Sequence, residues 1–135
     1  MKLRLDLITP EKIVLQEEVD SITLPTANGE LTILPEHENL VSQVGTGEMH
    51  YVKSGKDYLY ALTGGFLEIN GSNVNVMAQH AIKAEDIQLA KAKEAKEKAE
   101  KLMKEKLSEH DMKVAEGELR KALLELKVGV KYKSR

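Results

Sequence analysis

The 135-residue chain contains no cysteine, no tryptophan, one phenylalanine and three prolines. The lack of cysteine excludes disulfides and thiolate chemistry and is typical of a cytosolic protein. No apolar run approaches the roughly 18–20 residues that span a bilayer. The start, Met1-Lys2-Leu3-Arg4-Leu5-Asp6, alternates apolar and charged residues and does not read as a signal peptide. We therefore expect a soluble protein that, if it works at a membrane, does so through another subunit.

Charge and glycine–proline content change near residue 85. Residues 1–85 carry 6 Lys/Arg and 12 Asp/Glu, a net charge of −6. Residues 86–135 carry 14 Lys/Arg and 10 Asp/Glu, a net charge of +4, with no proline and two glycines. The sequence thus predicts a β-sandwich domain at 1–85 and a helical domain at 86–135. A β domain followed by a charged helical domain is more typical of a coupling or regulatory part than of a freestanding catalyst.

The first domain shows the two-residue period of strands with one buried face. Leu3, Leu5 and Leu7 alternate with polar residues, and Asn28-Gly29 is a hairpin-turn signal. Eight to ten short strands at this spacing predict an antiparallel sandwich or flattened barrel. Besides Leu3–Leu7, the predicted strands are Ile13–Leu15, Val19–Leu24, Leu31–Leu34, Leu40–Val44, Glu48–Lys53, Tyr58–Leu62, Phe66–Ile69 and Asn73–Ala78, with Gly64-Gly65 as a turn or bulge.

The sequence of the second domain predicts an antiparallel two-helix hairpin. Ala84-Glu85-Asp86 marks the first helix start, and Ser108 or Asp111 is the expected cap of the second helix. The apolar seam is predicted to consist of Ala92, Ala95, Ala99 and Leu102 on the first helix and Ala115, Leu119, Ala122, Leu123, Leu126 and Val130 on the second. Because alanine buries little area, contact between the helices is modest, and their high intrinsic propensity lets each persist when they separate.

Several segments, in order, resemble the epsilon subunit of bacterial F-type ATP synthases. The first is Gly29-Glu30-Leu31-Thr32-Ile33-Leu34-Pro35-Glu36-His37. The others are Thr63-Gly64-Gly65-Phe66-Leu67-Glu68-Ile69, Val74-Asn75-Val76-Met77-Ala78 and Ala90-Lys91-Ala92-Lys93-Glu94-Ala95-Lys96. The Thr9-Pro10-Glu11 start fits as well, so the resemblance covers essentially the whole chain.

The resemblance implies a noncatalytic central-stalk subunit, present once per proton-translocating complex on the cytoplasmic face of the bacterial membrane. Its β-sandwich would contact the gamma shaft and the c ring. Its helical hairpin would permit ATP hydrolysis when folded and block rotation at the catalytic alpha/beta hexamer when extended. The choice between H⁺ and Na⁺ belongs to another subunit.

The resemblance also implies site residues. Glu30 and His37 are expected to face the c ring. The second helix would enter the hexamer, and Arg120, Lys121 and Lys127 are the candidate inhibitory residues. They belong to a basic stretch that is opposed by Glu125 only and continues through Lys131, Lys133 and Arg135.

Some epsilon subunits bind ATP through an Ile/Leu-Asp-x-x-Arg-Ala motif. The corresponding residues here are Ile87, Gln88, Lys91 and Ala92. Gln88 lacks the charge of an aspartate, and Lys91 offers a point charge where arginine offers a planar fork. We expect regulatory ATP binding to be weak or absent.

Other classes of function find little support. The four histidines show no ligand spacing, so no metal site or other cofactor is predicted. No set of residues is suited to catalysis. Nucleic-acid binding is disfavoured because acids interleave with the bases of the hairpin and aromatic residues are nearly absent. The alternative to the synthase subunit is a β-sandwich adaptor that binds another protein through its hairpin.

Overall fold

The computed structural model describes residues 1–134; Arg135, the last residue of the basic stretch, lies outside the described residues. The chain divides into two compact units, Met1–Lys83 and a second that begins at Ala84. We call them the strand unit and the helical unit. The division falls shortly before the position at which the charge pattern placed it.

The strand unit is a single connected sheet of eight strands, which confirms the strand-rich first domain. The sheet order is β2-β1-β8-β7-β5-β3-β4, and β6 pairs with both β3 and β7. The strands are β1 (Leu3–Ile8), β2 (Ile13–Val19), β3 (Ser21–Thr26), β4 (Gly29–Ile33), β5 (Leu40–Val44), β6 (Gly47–Lys53), β7 (Lys56–Asn70) and β8 (Asn73–Lys83).

One pair of strands departs from the antiparallel expectation. β1 runs parallel to β8, with Leu5 opposite Val74 and Leu7 opposite Val76. A short hairpin forces two strands to be antiparallel, but β1 and β8 are connected through the whole unit. Their relative direction is therefore set by the closure of the fold, which local sequence patterns do not report.

The Gly64-Gly65 pair lies inside a strand and does not end one. β7 continues through it, pairing with β6 before the glycines and with β5 after them. A Cβ on Gly65 would lie 1.7 Å from the Met77 carbonyl oxygen of β8. The glycine is needed because neighbouring backbone approaches too closely for any side chain. The prediction of two separate strands was therefore wrong.

The β3–β4 hairpin turns one residue earlier than Asn28-Gly29. Ala27 and Asn28 form the turn, and Gly29 opens β4 with a φ of +108°. The Thr26 hydroxyl donates to the Gly29 carbonyl oxygen over 2.6 Å and accepts from the Asn28 N–H over 3.2 Å. This side-chain turn fixes the hairpin where an Asn-Gly turn was expected.

The core of the strand unit consists of large aliphatic and aromatic side chains from all its strands. Leucines, isoleucines and valines dominate, and many have no solvent exposure. The cluster comprises Leu3, Leu5, Leu7, Val19, Ile22, Leu24, Ile33, Val44, Met49, Tyr51, Tyr60, Leu62, Leu67, Ile69, Val74, Val76 and Ala78. Since every member comes from the strand unit, its core is complete without a residue of the helical unit.

The helical unit contains α1 (Leu89–Met103) and α2 (Glu109–Lys133), which confirms the two helices. Ala84–Asp86, where the first helix was expected to begin, is a separate 3₁₀ turn. α1 therefore begins three residues after Asp86, without acidic residues in its first turn. Ser108 caps α2, and its hydroxyl accepts a hydrogen bond from the Asp111 N–H over 3.0 Å.

The seam of the hairpin differs in part from the prediction. Ala92, Ala99, Ala115 and Ala122 are buried as expected, and Leu119 and Leu126 are half-buried. Ala95, Leu102, Leu123 and Val130 are exposed, whereas Val128 and Gly129 are buried. At 3.6 residues per turn, the face carrying Ala115, Ala122 and Gly129 leaves Leu123 and Val130 to one side.

Candidate protein-interaction surfaces

An exposed row of apolar side chains crosses four strands of the strand unit. Ile13 of β2 lies opposite Ile8 of β1, Ile8 opposite Met77 of β8, and Met77 opposite Phe66 of β7. Ile13, Met77 and Phe66 are 59%, 45% and 54% exposed, respectively. We call Ile13, Ile8, Met77 and Phe66 the apolar row. Neighbouring strands lie about 4.8 Å apart, so the row is roughly 14 Å long.

Polar and acidic side chains flank the apolar row on the same face. Asp6 lies opposite Asn75, and Asn75 opposite Glu68. Val41, which is 71% exposed, pairs with Glu68. The Arg4 Nε lies 3.8 Å from the Asp6 Oδ1. The face therefore presents an apolar strip beside one exposed carboxylate, Glu68, an arrangement that suits an apolar partner surface carrying a basic residue.

The apolar row was not predicted, although consecutive apolar residues in the sequence indicate it. Strict alternation allows one apolar residue in two, but Leu7-Ile8, Phe66-Leu67 and Val76-Met77 are consecutive apolar pairs. In each pair one side chain enters the core and the other faces out: Leu7, Leu67 and Val76 are buried, whereas Phe66 and Met77 are exposed. A strand with apolar residues on both faces indicates a second packing partner.

Glu30 and His37 both lie at the surface of the strand unit. Glu30 is exposed on the edge strand β4. His37 is half-buried in the β4–β5 connection, where its Nδ1 lies 2.7 Å from the Glu38 carbonyl oxygen. Within residues 1–134 no hydrogen bond or ion pair joins Glu30 to His37. The neighbouring Glu36 has a φ of 69°, which the tight connection requires.

Two ion pairs and one hydrogen bond join the end of β2 and the following Asp20 to Lys2, to the last residue of β6 and to the β6–β7 turn. The Lys2 Nζ donates to the Asp20 Oδ1 over 2.7 Å, and the Ser54 N–H donates to the Asp20 Oδ2 over 3.1 Å. The bond from Lys2, followed by the one from Ser54, lowers the pKa of Asp20. Lys53 pairs with Glu17, and this hydrogen bond raises the pKa of Lys53. These contacts tie together strands that are distant in sequence.

The four candidate nucleotide-binding residues are divided between two environments. Ile87 and Ala92 are 3% and 5% exposed. Gln88 and Lys91 are exposed, and Gln88 occupies the N-cap position of α1 without a capping hydrogen bond from its side chain. Only Gln88 and Lys91 therefore offer polar groups to a ligand, on one exposed turn.

Two of the three candidate inhibitory residues share an exposed face of α2. Arg120 and Lys127 are exposed and lie seven residues, or about two turns, apart. Lys121 is half-buried and lies about 100° around the helix from Arg120. Leu123 and Val130, exposed by 46% and 53%, run beside Arg120 and Lys127. We call Arg120, Leu123, Lys127 and Val130 the cationic–apolar face.

The described part of the chain contains neither a candidate metal site nor a candidate membrane-spanning helix. Among residues 1–134, no cluster of three or more His, Asp or Glu side chains could hold a metal ion. None of the helices described there is long and apolar enough to cross a membrane. The surfaces found are an apolar row on a sheet and a basic face on a helix, features typical of protein-interaction surfaces.

The chain belongs to the family of ATP synthase delta/epsilon chains. The model of the family's β-sandwich domain matches residues 2–84, and that of its long α-helix domain matches residues 85–129. The match confirms the resemblance found in the sequence and places the family's domain boundary next to the division between the two units.

Curated relatives match along almost their whole length. The ATP synthase epsilon chain of Herpetosiphon aurantiacus is 39% identical over 128 residues, covering 95% of this chain and 94% of the relative. The ATP synthase epsilon chain of Desulforamulus reducens is 43% identical over 124 residues, covering 92% of this chain and 94% of the relative.

Solved structures show the same fold. A chain in the Euglena gracilis mitochondrial ATP synthase, in a structure of OSCP, F1 and c-ring, matches with a TM-score of 0.77 and 26% identity, covering 99% of this chain and 82% of that one. A chain in the central stalk and c-ring of the Tetrahymena thermophila enzyme shares the fold, with a TM-score of 0.64 and 14% identity over 96% and 97% of the two chains.

Proposed function

We propose that this chain is a noncatalytic central-stalk subunit of an ATP synthase, which couples shaft rotation to the c ring and restrains ATP hydrolysis through its helices. The observation that carries the proposal is the apolar row. It is exposed on a sheet whose other face already holds a complete core, so its burial requires a partner. Membership of the delta/epsilon family supports an ATP synthase as the source of that partner.

The gamma shaft is the proposed partner of the apolar row. A row of roughly 14 Å across four strands matches nearly three turns of a helix laid against the sheet. The exposed Glu68 carboxylate favours a gamma surface with a basic residue beside its apolar stripe.

The c ring is the proposed partner of Glu30 and His37. Both side chains reach solvent on the strand unit, and a carboxylate and an imidazole can hydrogen-bond the polar loops of ring subunits. The chain would then lie at the cytoplasmic face of the membrane, in one copy per complex, and touch the bilayer only through that ring.

The catalytic hexamer is the proposed partner of the cationic–apolar face of α2. Arg120 and Lys127 would meet acidic residues there, while Leu123 and Val130 supply apolar contact. Lys121 lies on another side of the helix, so we assign the inhibitory contact to Arg120 and Lys127. ATP itself is proposed to bind weakly or not at all, since Gln88 and Lys91 provide two polar groups without a carboxylate.

The gamma contact is tested by charging the apolar row. Phe66→Glu and Met77→Glu should leave the sheet folded, because both side chains are exposed, and should abolish copurification with gamma. Asn73→Glu, an equal charge change on an exposed residue of β8, should keep gamma bound. Retention of gamma by both row variants would contradict the assignment.

The inhibitory role is tested by ending the chain after Lys83. The truncated subunit keeps its complete core, so it should bind gamma and raise the rate of ATP hydrolysis by the assembled enzyme. An unchanged rate would remove the inhibitory role and leave the coupling role. If the full chain binds neither gamma nor the c ring, it is the adaptor for another protein.

A further inference from the structure

The two ends of the helical hairpin are packed differently. At the base, Gly129 of α2 lies against the segment that opens α1. A Cβ on Gly129 would be 2.8 Å from the Leu89 Cδ2 and 3.0 Å from the Ile87 Cγ2. Ile87 is only 3% exposed, and the Tyr132 hydroxyl donates to the Glu85 Oε2 over 3.4 Å nearby. The base is therefore closely packed, and an added methyl group would require Leu89 or Ile87 to shift.

The end near the α1–α2 connection is loosely packed. A groove of about 490 Å³ lies between the helices there. Its apolar lining is incompletely covered, since Leu102 and Val114 are 39% and 51% exposed. Side chains beside an unfilled groove forgo the dispersion contacts that a closed interface provides. The hairpin is thus held most firmly at its base.

The two glycines of the helical unit differ in whether the packing of neighbouring side chains requires them. Glycine weakens any helix interior relative to alanine. At Gly117 a Cβ would meet nothing within 4 Å, so no contact requires the glycine. At Gly129 a side chain could be added only if Leu89 and Ile87 moved. Gly129 thus permits a contact that a residue with a Cβ would push apart.

We propose that the contact of Gly129 with Ile87 and Leu89 is the latch that keeps the hairpin closed, and that its release lets the helices part at the base while the α1–α2 connection holds their other ends together. The consequence for ATP hydrolysis rests on the proposed function; the latch itself is a property of the helical unit. A side chain at position 129 shifts the hairpin towards separated helices.

A larger side chain at position 129 should separate the helices more than a smaller one. The Leu89 Cδ2 is the end of a flexible side chain and can rotate away from one methyl group. The Ile87 Cγ2 is fixed on a β-branched carbon with little rotational freedom. Gly129→Ala is therefore partly accommodated, whereas Gly129→Leu overpacks the base and drives the helices apart. Both raise helix propensity, so loss of helix cannot account for the opening.

Distance measurement in the full chain tests the latch, because the absence of cysteine allows labels at chosen sites. Spin labels on Ala90→Cys and Lys133→Cys report the base, and labels on Lys101→Cys and Lys113→Cys report the groove end. In the parent chain, the base pair should give the narrower distance distribution. Gly129→Leu should add a population of base distances longer by on the order of 10 Å, one helix diameter; Gly129→Ala should add less.

Gly117→Ala and Gly117→Leu are the matched controls, and they should leave the base distances unchanged. The latch is overturned if the Gly117 and Gly129 series give the same base distances, or if the base is broader than the groove end in the parent chain. Retained helical circular dichroism in every variant establishes that the helices remain formed.

Hydrolysis by the assembled ATP synthase separates the latch from the proposed function. Gly129→Leu should lower the hydrolysis rate more than Gly117→Leu, because separated helices are the inhibitory state. If Gly129→Leu opens the base but leaves hydrolysis unchanged, the latch stands and the inhibitory role fails. If the base stays closed in Gly129→Leu, the latch proposal is wrong whatever the rate of ATP hydrolysis.

Discussion

The strand unit and the helical unit bury different kinds of side chain. The strand unit encloses whole leucines, isoleucines and tyrosines, whereas the helices meet mainly through Ala92, Ala99, Ala115 and Ala122. Full burial of a leucine contributes about 1.5–3 kcal/mol, and a methyl side chain contributes far less. The difference teaches that one chain can combine a domain with a large apolar core and a helical hairpin that buries less apolar area per contact.

The proposed function assigns a different role to each unit: load transmission to the strand unit and regulation to the helical unit. A platform that transmits load must hold its shape, and the ion pairs of Asp20 and Glu17 add contacts between separate parts of the chain at its surface. A regulatory arm must have two accessible arrangements separated by a small free energy. In the proposed function, the alanine seam and the groove beside it would keep that free energy small.

The largest effect is expected in the core of the strand unit. Leu67→Ala removes a fully buried side chain and should lower the free energy of unfolding by about 2–5 kcal/mol, because it leaves a cavity. The control is the adjacent Phe66→Ala, which truncates a side chain that is 54% exposed and should cost about 1 kcal/mol or less. Urea unfolding measures both; equal losses would contradict the described burial.

An intermediate effect is expected at the start of α2. Ser108→Ala removes the hydroxyl that accepts from the Asp111 N–H and should destabilise α2 by about 1 kcal/mol. Amide exchange should quicken in the first turns of α2 and stay unchanged in β7 and β8. His110→Ala, an exposed position in the same turn, serves as the control. Faster exchange in the strands would mean that the two units open together.

The smallest effect concerns pH. The pKa of Asp20 is lowered in the folded state, so its contribution to stability is present above its ordinary pKa of 3.8 and is lost as the pH falls through the lowered value. Asp20→Asn should therefore flatten the loss of stability below about pH 4. Because the side chain is solvent-exposed, the change should be slight and should shrink further in high salt. An unaltered acid dependence would show that the pair with Lys2 contributes nothing.

Much of the fold could be predicted from local pattern. The period-2 leucines of β1 are all buried, and the high-propensity segments after residue 88 form two helices. Two features could not be predicted because they depend on contacts between distant strands. These are the parallel pairing of β1 with β8 and the passage of β7 through Gly65. The position of the β3–β4 turn depends instead on the local hydrogen bonds of the Thr26 hydroxyl, which the Asn-Gly pattern does not report.

The candidate surfaces were predictable to a lesser degree. Arg120 and Lys127 could be selected from charge and helical spacing, and the structure brings them onto one face. The apolar row required strand register, since Ile13, Ile8, Met77 and Phe66 come from three separated stretches of sequence. Leu123 and Val130 were assigned to the seam because a short apolar pattern does not say on which side of a helix its partner lies.

Native-state amide exchange of the intact chain in increasing urea tests the central claim most directly. Amides of α1 and α2 should exchange through an opening of lower free energy and weaker urea dependence than amides of β1, β7 and β8. Convergence of helix and strand amides on one common opening free energy would show a single fused core and would contradict the account.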